Sequence, residues 1–339
     1  MKIHRHSRHS SDEPKGLTDV PFPSVNVSEP RDLLHRCPDA GTTPLHSLEG
    51  FGGAGQVFVK DERTRMGLGS FKALGAAYVI AHAAQNSDVS NVTYVTASAG
   101  NHGLSVAAGA HVFGAKAVIY LSHTVPESFA KKLRAHHAEV VRAGDNYEAS
   151  MEAAQKAATE HGWILLSDSS WDGYVDIAHR LMEGYLVMAA EAVAQVPQTP
   201  THIFLQAGVG GLAAAAAAYF RHAWGNDPII IVVEPESAPA IFNSIIAGKA
   251  TNTPGAVSNM GRLDCKEPSL IALKGLARDA DMFALISDET AEQAMPVLST
   301  KGLATTPSGG AGLAALLSGF PDIDQTSRVL CILSEESDT

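Results

Sequence analysis

Three short segments combine reactive or anion-binding residue types with turns able to present them. The first, Ser70-Phe71-Lys72, sets a lysine at the opening of the apolar run Ala73-Leu74-Gly75-Ala76-Ala77-Tyr78. Partial desolvation there lowers an ammonium pKa and frees the amine as a nucleophile for a carbonyl, whereas a lysine on an ordinary exposed helix start stays protonated. The second, Thr96-Ala97-Ser98-Ala99-Gly100-Asn101-His102-Gly103, follows a β-branched run and offers a hydroxyl, an amide and free backbone N–H groups. The third, Gln206-Ala207-Gly208-Val209-Gly210-Gly211-Leu212, leads into an alanine-rich helix. Glycines let its main chain wrap a phosphate, and the helix start adds partial positive charge. Alone, such a turn serves a dinucleotide, another phosphate or no ligand at all. Together with a polar Ser334 after the last apolar run, the three compose a site for a carbonyl cofactor that bears a phosphate.

The segments that must position these residues alternate between short β-branched runs and alanine-rich stretches long enough for helices, the pattern of a parallel α/β chain. Strands are expected at 57–60, 92–96, 117–121, 139–142, 163–166, 203–206, 229–233, 282–286 and 329–333. Helices are expected at 72–85, 102–113, 127–136, 147–161, 176–195, 212–223, 239–248, 288–301 and 311–317. A Pro/Ser-rich lead-in runs to about Ser47, and the Pro/Thr-rich segment 196–201 is the best candidate for a domain crossover.

With 339 residues, 45% of them hydrophobic, the chain is long enough for two domains with sizeable cores. Its net charge of -11 repels a phosphate backbone or an anionic membrane, so neither nucleic acid nor membrane is an expected partner. Three scattered cysteines, Cys37, Cys265 and Cys331, imply neither a disulfide framework nor a zinc knuckle, and fit a reducing cytoplasm. The first residues carry no apolar stretch of the kind a secretory signal needs. His4, His6 and His9 read as a solvated tail rather than a metal site, and no metal is expected.

Thr43-Pro44-Leu45, Val59-Lys60-Asp61-Glu62, Ser70-Phe71-Lys72, Ser98-Ala99-Gly100-Asn101-His102-Gly103 and Gly208-Val209-Gly210-Gly211-Leu212 occur in an order that resembles the tryptophan synthase β-subunit superfamily, the fold type II pyridoxal phosphate enzymes. The likeness runs from about residue 42 to 339. Within that group, Lys60-Asp61-Glu62-Arg63, the segment 67–75, the ending 334–339 and above all Asp168-Ser169-Ser170-Trp171-Asp172-Gly173-Tyr174 resemble diaminopropionate ammonia-lyase.

The resemblance implies two three-layer αβα domains with pyridoxal 5'-phosphate in the cleft between them. It divides the chain into a flexible lead-in (1–40), a large cofactor-binding domain (41–87 plus 181–339) and a small mobile domain (88–180). Lys72 is then the lysine that carries the cofactor as a Schiff base and later takes the substrate's Cα proton, with Phe71 packing beside the ring. Asn101 meets the phenolic oxygen, Gly208, Val209, Gly210, Gly211 and Leu212 hold the phosphate, and Ser334 meets the ring nitrogen. Ser98, Ala99, Gly100 and His102 lie on the substrate side, and Asp168 lies near the substrate's β-amino group. The implied activity is β-elimination from a small amino acid, 2,3-diaminopropionate first, giving pyruvate and ammonia, by a cytoplasmic homodimer.

One departure bears on this. The lyases carry an aspartate immediately before Gly-Asn-His-Gly, where this chain has Ala99, so the loop reads like that of an L-serine, L-threonine or hydroxyaspartate dehydratase. Thr305-Thr306-Pro307-Ser308-Gly309-Gly310-Ala311 lies between the two patterns. More distant alternatives are a nicotinamide-dependent oxidoreductase built on the 208–211 turn and a catalytically silent binding protein. Outside the motifs, Asp168 also suits a helix N-cap, His136 and His137 read as surface, and Glu234 reads either as a cleft residue or as a ribose-binding acid.

Overall fold

A computed structural model describes residues 1–8 and 13–338. In chain order the first half contains β1 (Lys2–Arg5), α1 (Ser28–Leu34), β2 (Leu45–Glu49), β3 (Gln56–Asp61), α2 (Lys72–Asn86), β4 (Thr93–Ala97), α3 (Asn101–Val112), β5 (Lys116–Leu121), α4 (Glu127–Ala135), β6 (Glu139–Arg142), α5 (Tyr147–His161) and β7 (Ile164–Leu165). The second half contains α6 (Asp176–Gln195), β8 (His202–Gln206), α7 (Gly211–Trp224), β9 (Ile229–Pro235), α8 (Ala240–Ala247), α9 (Leu270–Asp279), β10 (Met282–Ile286), α10 (Asp288–Thr300), α11 (Ala311–Leu317) and β11 (Arg328–Leu333).

These strands form two sheets. One has seven strands in the order β1-β10-β9-β8-β11-β3-β2, the other four in the order β6-β5-β4-β7. Every pairing is parallel except β1 on β10 and β2 on β3, at the two edges of the larger sheet. Alternate residues of the large sheet serve two cores, as strand geometry requires. Phe58, Ile203, Leu205, Ile230, Val232, Leu330 and Ile332 pack with α2, α6, α7 and α9. Val57, Val59, Phe204, Ile231, Val233, Val329 and Leu333 pack with α10 and α11. The chain leaves the small sheet at β7, crosses on the twenty-residue α6, and enters the large sheet at β8 through 196–201.

The lead-in differs from the flexible tail the sequence suggests. Lys2–Arg5 pair along β10, with Lys2 opposite Leu285 and Arg5 opposite Met282. His4 packs edge-on against Phe242, and His6 Nε2 donates to the Ala277 carbonyl at 2.8 Å. Further on, buried Lys274 donates to the carbonyls of Leu17 (2.8 Å) and Val20 (2.9 Å). The physical reason is the open edge of β10, whose unpaired backbone groups recruit a strand. His9 lies outside the described residues.

A second feature the sequence concealed is a buried set of charges under the β3–α2 connection. Lys60 Nζ donates to Glu191 at 2.6 Å, to Gln195 at 2.9 Å and to the Thr43 carbonyl at 2.8 Å. Arg65 is wholly buried and bonds both Glu62 and Glu191 at 2.7 Å. Two cations meet two carboxylates, which ties α6 to the segment that delivers Lys72. Burial of these groups is tolerable only because each is paired.

Candidate active site

The chemistry-bearing residues all follow the C-terminal ends of parallel strands, where α/β sheets gather their sites. Lys72 opens α2 after β3, Asn101 opens α3 after β4, Asp168 follows β7, Gly208–Gly211 follow β8, and Ser334 follows β11. Local bonds fix the approach to Lys72: Ser70 bridges Glu335, and the Phe71 N–H donates to the Ser334 carbonyl at 3.1 Å.

Lys72 Nζ forms an ion pair with Asp168. It lies 5.1 Å from the centre of the Phe71 ring and 5.9 Å from that of Tyr185, and those two rings meet edge to face at 4.9 Å. Burial works against the Lys72 charge, yet the Asp168 carboxylate outweighs it and holds the ammonium above its ordinary range. Burial likewise opposes the Asp168 charge, and Lys72 holds that carboxyl well below the usual carboxylate range. The pair is therefore an ammonium and a carboxylate at neutral pH.

The N-cap alternative for Asp168 does not hold, because α6 starts eight residues later behind Val175. Instead Asp168 sits at the head of a braced turn. The Tyr174 hydroxyl accepts from the Ser167 N–H at 2.9 Å and donates to the Leu165 carbonyl at 2.9 Å, and its ring stacks on Trp171 at 4.3 Å. Ser170 and Ser269 share a 2.7 Å hydrogen bond that ties this turn to α9.

In the asparagine loop, the Ser98 hydroxyl accepts from the N–H groups of Gly100 (3.2 Å) and Gly103 (3.1 Å), closing a tight turn. Ala99 is exposed at its tip. Asn101 Nδ2 donates to Glu335 Oε2 at 2.6 Å. His102 is buried, and its Nε2 donates to the Leu166 carbonyl at 2.8 Å; burial lowers its pKa and keeps the ring neutral.

The glycine turn after β8 leaves little room for a Cβ at Gly208 or Gly210. Gly210 adopts φ +96, and a Cβ there would come within 2.9 Å of the Ala272 Cβ; a Cβ on Gly208 would come within 3.0 Å of Cys265 Sγ. The turn ends at the N-terminus of the fourteen-residue α7, whose first N–H groups face outward from the helix. A backbone cradle at the positive end of a helix fits a phosphate. Beside it, the buried Tyr185 hydroxyl makes no well-formed hydrogen bond among the described residues while facing Lys72. Cradle, lysine and orphaned hydroxyl together suit a phosphorylated carbonyl compound.

Several participants escape the sequence reading. Glu335 directly follows Ser334 beyond β11, and that strand-end position is the signal that marks it. Cys265, whose thiol burial pushes up to about 12, comes from an irregular segment with no periodicity to read. Tyr185 lies mid-helix and looks like any core aromatic. Glu234 is buried at the end of β9 and accepts the N–H groups of Ile241 (2.8 Å) and Phe242 (2.7 Å) at the start of α8, so its carboxylate serves that helix start. His136 and His137 fall just beyond α4, where His137 stacks on His111 at 3.7 Å. No cluster of three or more metal-ligating side chains occurs among the described residues.

Residues 37–335 match the family of pyridoxal-phosphate dependent enzymes. A diaminopropionate ammonia-lyase of Salmonella typhimurium is 32% identical over 352 aligned residues, covering 90% of this chain and 87% of the relative. An L-threonine ammonia-lyase of Thermotoga maritima is 25% identical over 85% of this chain and 68% of its own length. The crystal structure of the Escherichia coli diaminopropionate ammonia-lyase, in complex with an aminoacrylate–PLP azomethine intermediate, superposes with a TM-score of 0.87 at 28% identity, covering 99% of this chain and 93% of that one. A glycine cradle, a lysine held against a carboxylate and this kinship agree: the chain belongs to the pyridoxal-phosphate dependent enzymes of fold type II.

Proposed function

We propose that the protein is an ammonia-lyase that eliminates the β-amino group of 2,3-diaminopropionate to give pyruvate and ammonia. The observation that carries this reading is Asp168, a partly buried carboxylate paired with Lys72 at the head of the Trp171–Tyr174 turn. When bound, pyridoxal 5'-phosphate supplies the carbonyl that captures an amino group and the conjugated ring that accepts electron density from Cα. The turn 208–212 would hold its phosphate, Asn101 would meet its phenolic oxygen and Ser334 its ring nitrogen, and Phe71 packs beside Lys72. A serine hydroxyl at the ring nitrogen does not hold that nitrogen protonated as an aspartate would, which favours prompt β-elimination.

The Ser98 hydroxyl and the Ala99 N–H at the tip of the asparagine loop orient the substrate carboxylate. Lys72 Nζ, once released from Asp168 and in its neutral amine form, would remove the proton from Cα of the L-isomer, and its position on one face sets that choice. Asp168 is then left to attract the cationic β-ammonium group, the feature that separates a diamine substrate from a hydroxyl one. The division into a large domain (41–87 plus 181–339) and a mobile small domain (88–180) places this cleft between them. A cytoplasmic homodimer completes the proposal. Three unbridged cysteines support the compartment, and the dimer follows the family resemblance.

The Ala99 loop favours a second reading, an L-serine or L-threonine dehydratase. Keto-acid release from a panel of β-amino and β-hydroxy amino acids decides between them. A kcat/KM for L-serine or L-threonine above that for 2,3-diaminopropionate refutes the first reading.

A further inference from the structure

Glu335 is buried, and its carboxylate is enclosed by three donors from different parts of the chain. Asn101 Nδ2 donates to Oε2 at 2.6 Å, the Thr306 hydroxyl donates to Oε1, and Arg262 approaches Oε1 at 3.2 Å. Arg262 is itself braced by Asp338 at 2.6 Å. The main chain of Glu335 is equally fixed: it bridges Ser70, and its carbonyl accepts from the Thr305 hydroxyl at 2.5 Å. The side chain therefore cannot drift.

Asn101 opens α3 on the four-stranded sheet, whereas Glu335 follows β11 of the seven-stranded sheet. Their hydrogen bond thus spans the two sheets at the level of Lys72. A carboxylate only accepts, whereas an amide presents an acceptor on one side and two donors on the other. Contact with Glu335 consequently fixes which way round the amide sits, with Nδ2 toward Glu335 and its second N–H left over. A deprotonated phenolic oxygen on the cofactor needs a donor, and a flipped amide would oppose it with an oxygen.

We propose that Glu335 is a positioning residue: by accepting one Nδ2 hydrogen it locks the Asn101 amide so that the other is presented to the phenolic oxygen of pyridoxal phosphate. This rests on the assignment of Asn101 to that oxygen. Glu335 touches neither substrate nor cofactor in this role.

The test compares full-length holoenzymes of E335A, E335M, E335Q, N101A and E335A/N101A. Cofactor release into an excess of trapping agent is followed by the absorbance of the cofactor–lysine imine, and kcat/KM is measured alongside. E335A and E335M release cofactor about tenfold faster than the parent, as loss of a charge-assisted hydrogen bond would produce. E335M fills the volume and serves if E335A folds poorly. E335Q retains an acceptor and changes the rate less than about threefold. In the N101A background, E335A adds nothing, because the group through which it acts is gone. Multiplicative losses in the double variant overturn the proposal, and so does an E335Q rate equal to that of E335A. A parental release rate in N101A overturns the proposal together with the assignment of Asn101, which separates the two failures.

Discussion

Replacing Gly210 tests the phosphate cradle most directly. Its φ of +96 lies where a β-carbon costs about 1–2 kcal/mol. An added methyl would also sit 2.9 Å from the Ala272 Cβ and 3.1 Å from Ile241 Cδ1, overpacking worth about 1–3 kcal/mol. Neither neighbour is the free end of a long chain, so the loop itself must shift. The sum, about 2–5 kcal/mol, predicts a Tm lower by roughly 4–10 °C for Gly210→Ala. Gly100→Ala is the control: that residue is extended at φ −146, with open space around its Cβ, and its variant melts with the parent. Charge is isolated by comparing Gly210→Asp with Gly210→Asn, which share a shape. If the turn holds a phosphate, the aspartate variant loses cofactor at least about tenfold faster through dialysis. The assay is imine absorbance after dialysis together with differential scanning calorimetry. A Gly210→Ala protein that melts with the parent and retains its cofactor, or equal retention by the Asp and Asn variants, refutes the reasoning.

Lys72→Ala should abolish turnover and the borohydride-reducible imine; a cofactor still fixed covalently after reduction places the Schiff base elsewhere. L-2,3-diaminopropionate should be turned over at least about a hundredfold faster than the D-isomer, since Ala99 supplies no base on the opposite face, and Ala99→Asp, with room at the exposed tip, should gain D-activity. Equal kcat/KM for the two purified isomers in the parent protein would sink that argument. Burial raises the Glu234 carboxyl to about 8 despite its two backbone donors. Its stabilising contribution is therefore complete below the unfolded value of about 4.3 and is lost as pH rises through about 8. Melting temperature should fall less steeply from pH 5 to 9 in Glu234→Gln than in the parent, and parallel curves would count against the assignment.

Much of the architecture is legible in the sequence because parallel strands buried on both faces leave continuous apolar runs. The nine expected strands fall on β3 to β11 with shifts of one or two residues. The two antiparallel edge strands are missed for the same reason inverted: Lys2–Arg5 and Leu45–Glu49 are half exposed and polar, and only the sheet beside them makes them strands. Helix α9 is hidden because Lys274 and Arg278 interrupt its apolar face, although Lys274 turns out to be buried under the lead-in carbonyls. At the site, the lysine and both glycine-bearing turns announce themselves through local pattern. Tyr185 and Cys265 do not, since each reaches the cleft from far along the chain and nothing in its neighbours differs from ordinary core or loop, while Glu335 is marked only by its place after Ser334 at the end of β11.

The buried quartet of Lys60, Glu62, Arg65 and Glu191 shapes how this chain can diverge. Glu191 serves both cations at once, so exchanging it alone leaves Lys60 without a carboxylate and Arg65 with Glu62 only, while losing either cation leaves surplus carboxylate. No single exchange among the four keeps the buried charges balanced. Lineages that abandon it must change at least two of the four positions together, and an alignment of descendants should show them as a block that is inherited whole or replaced whole.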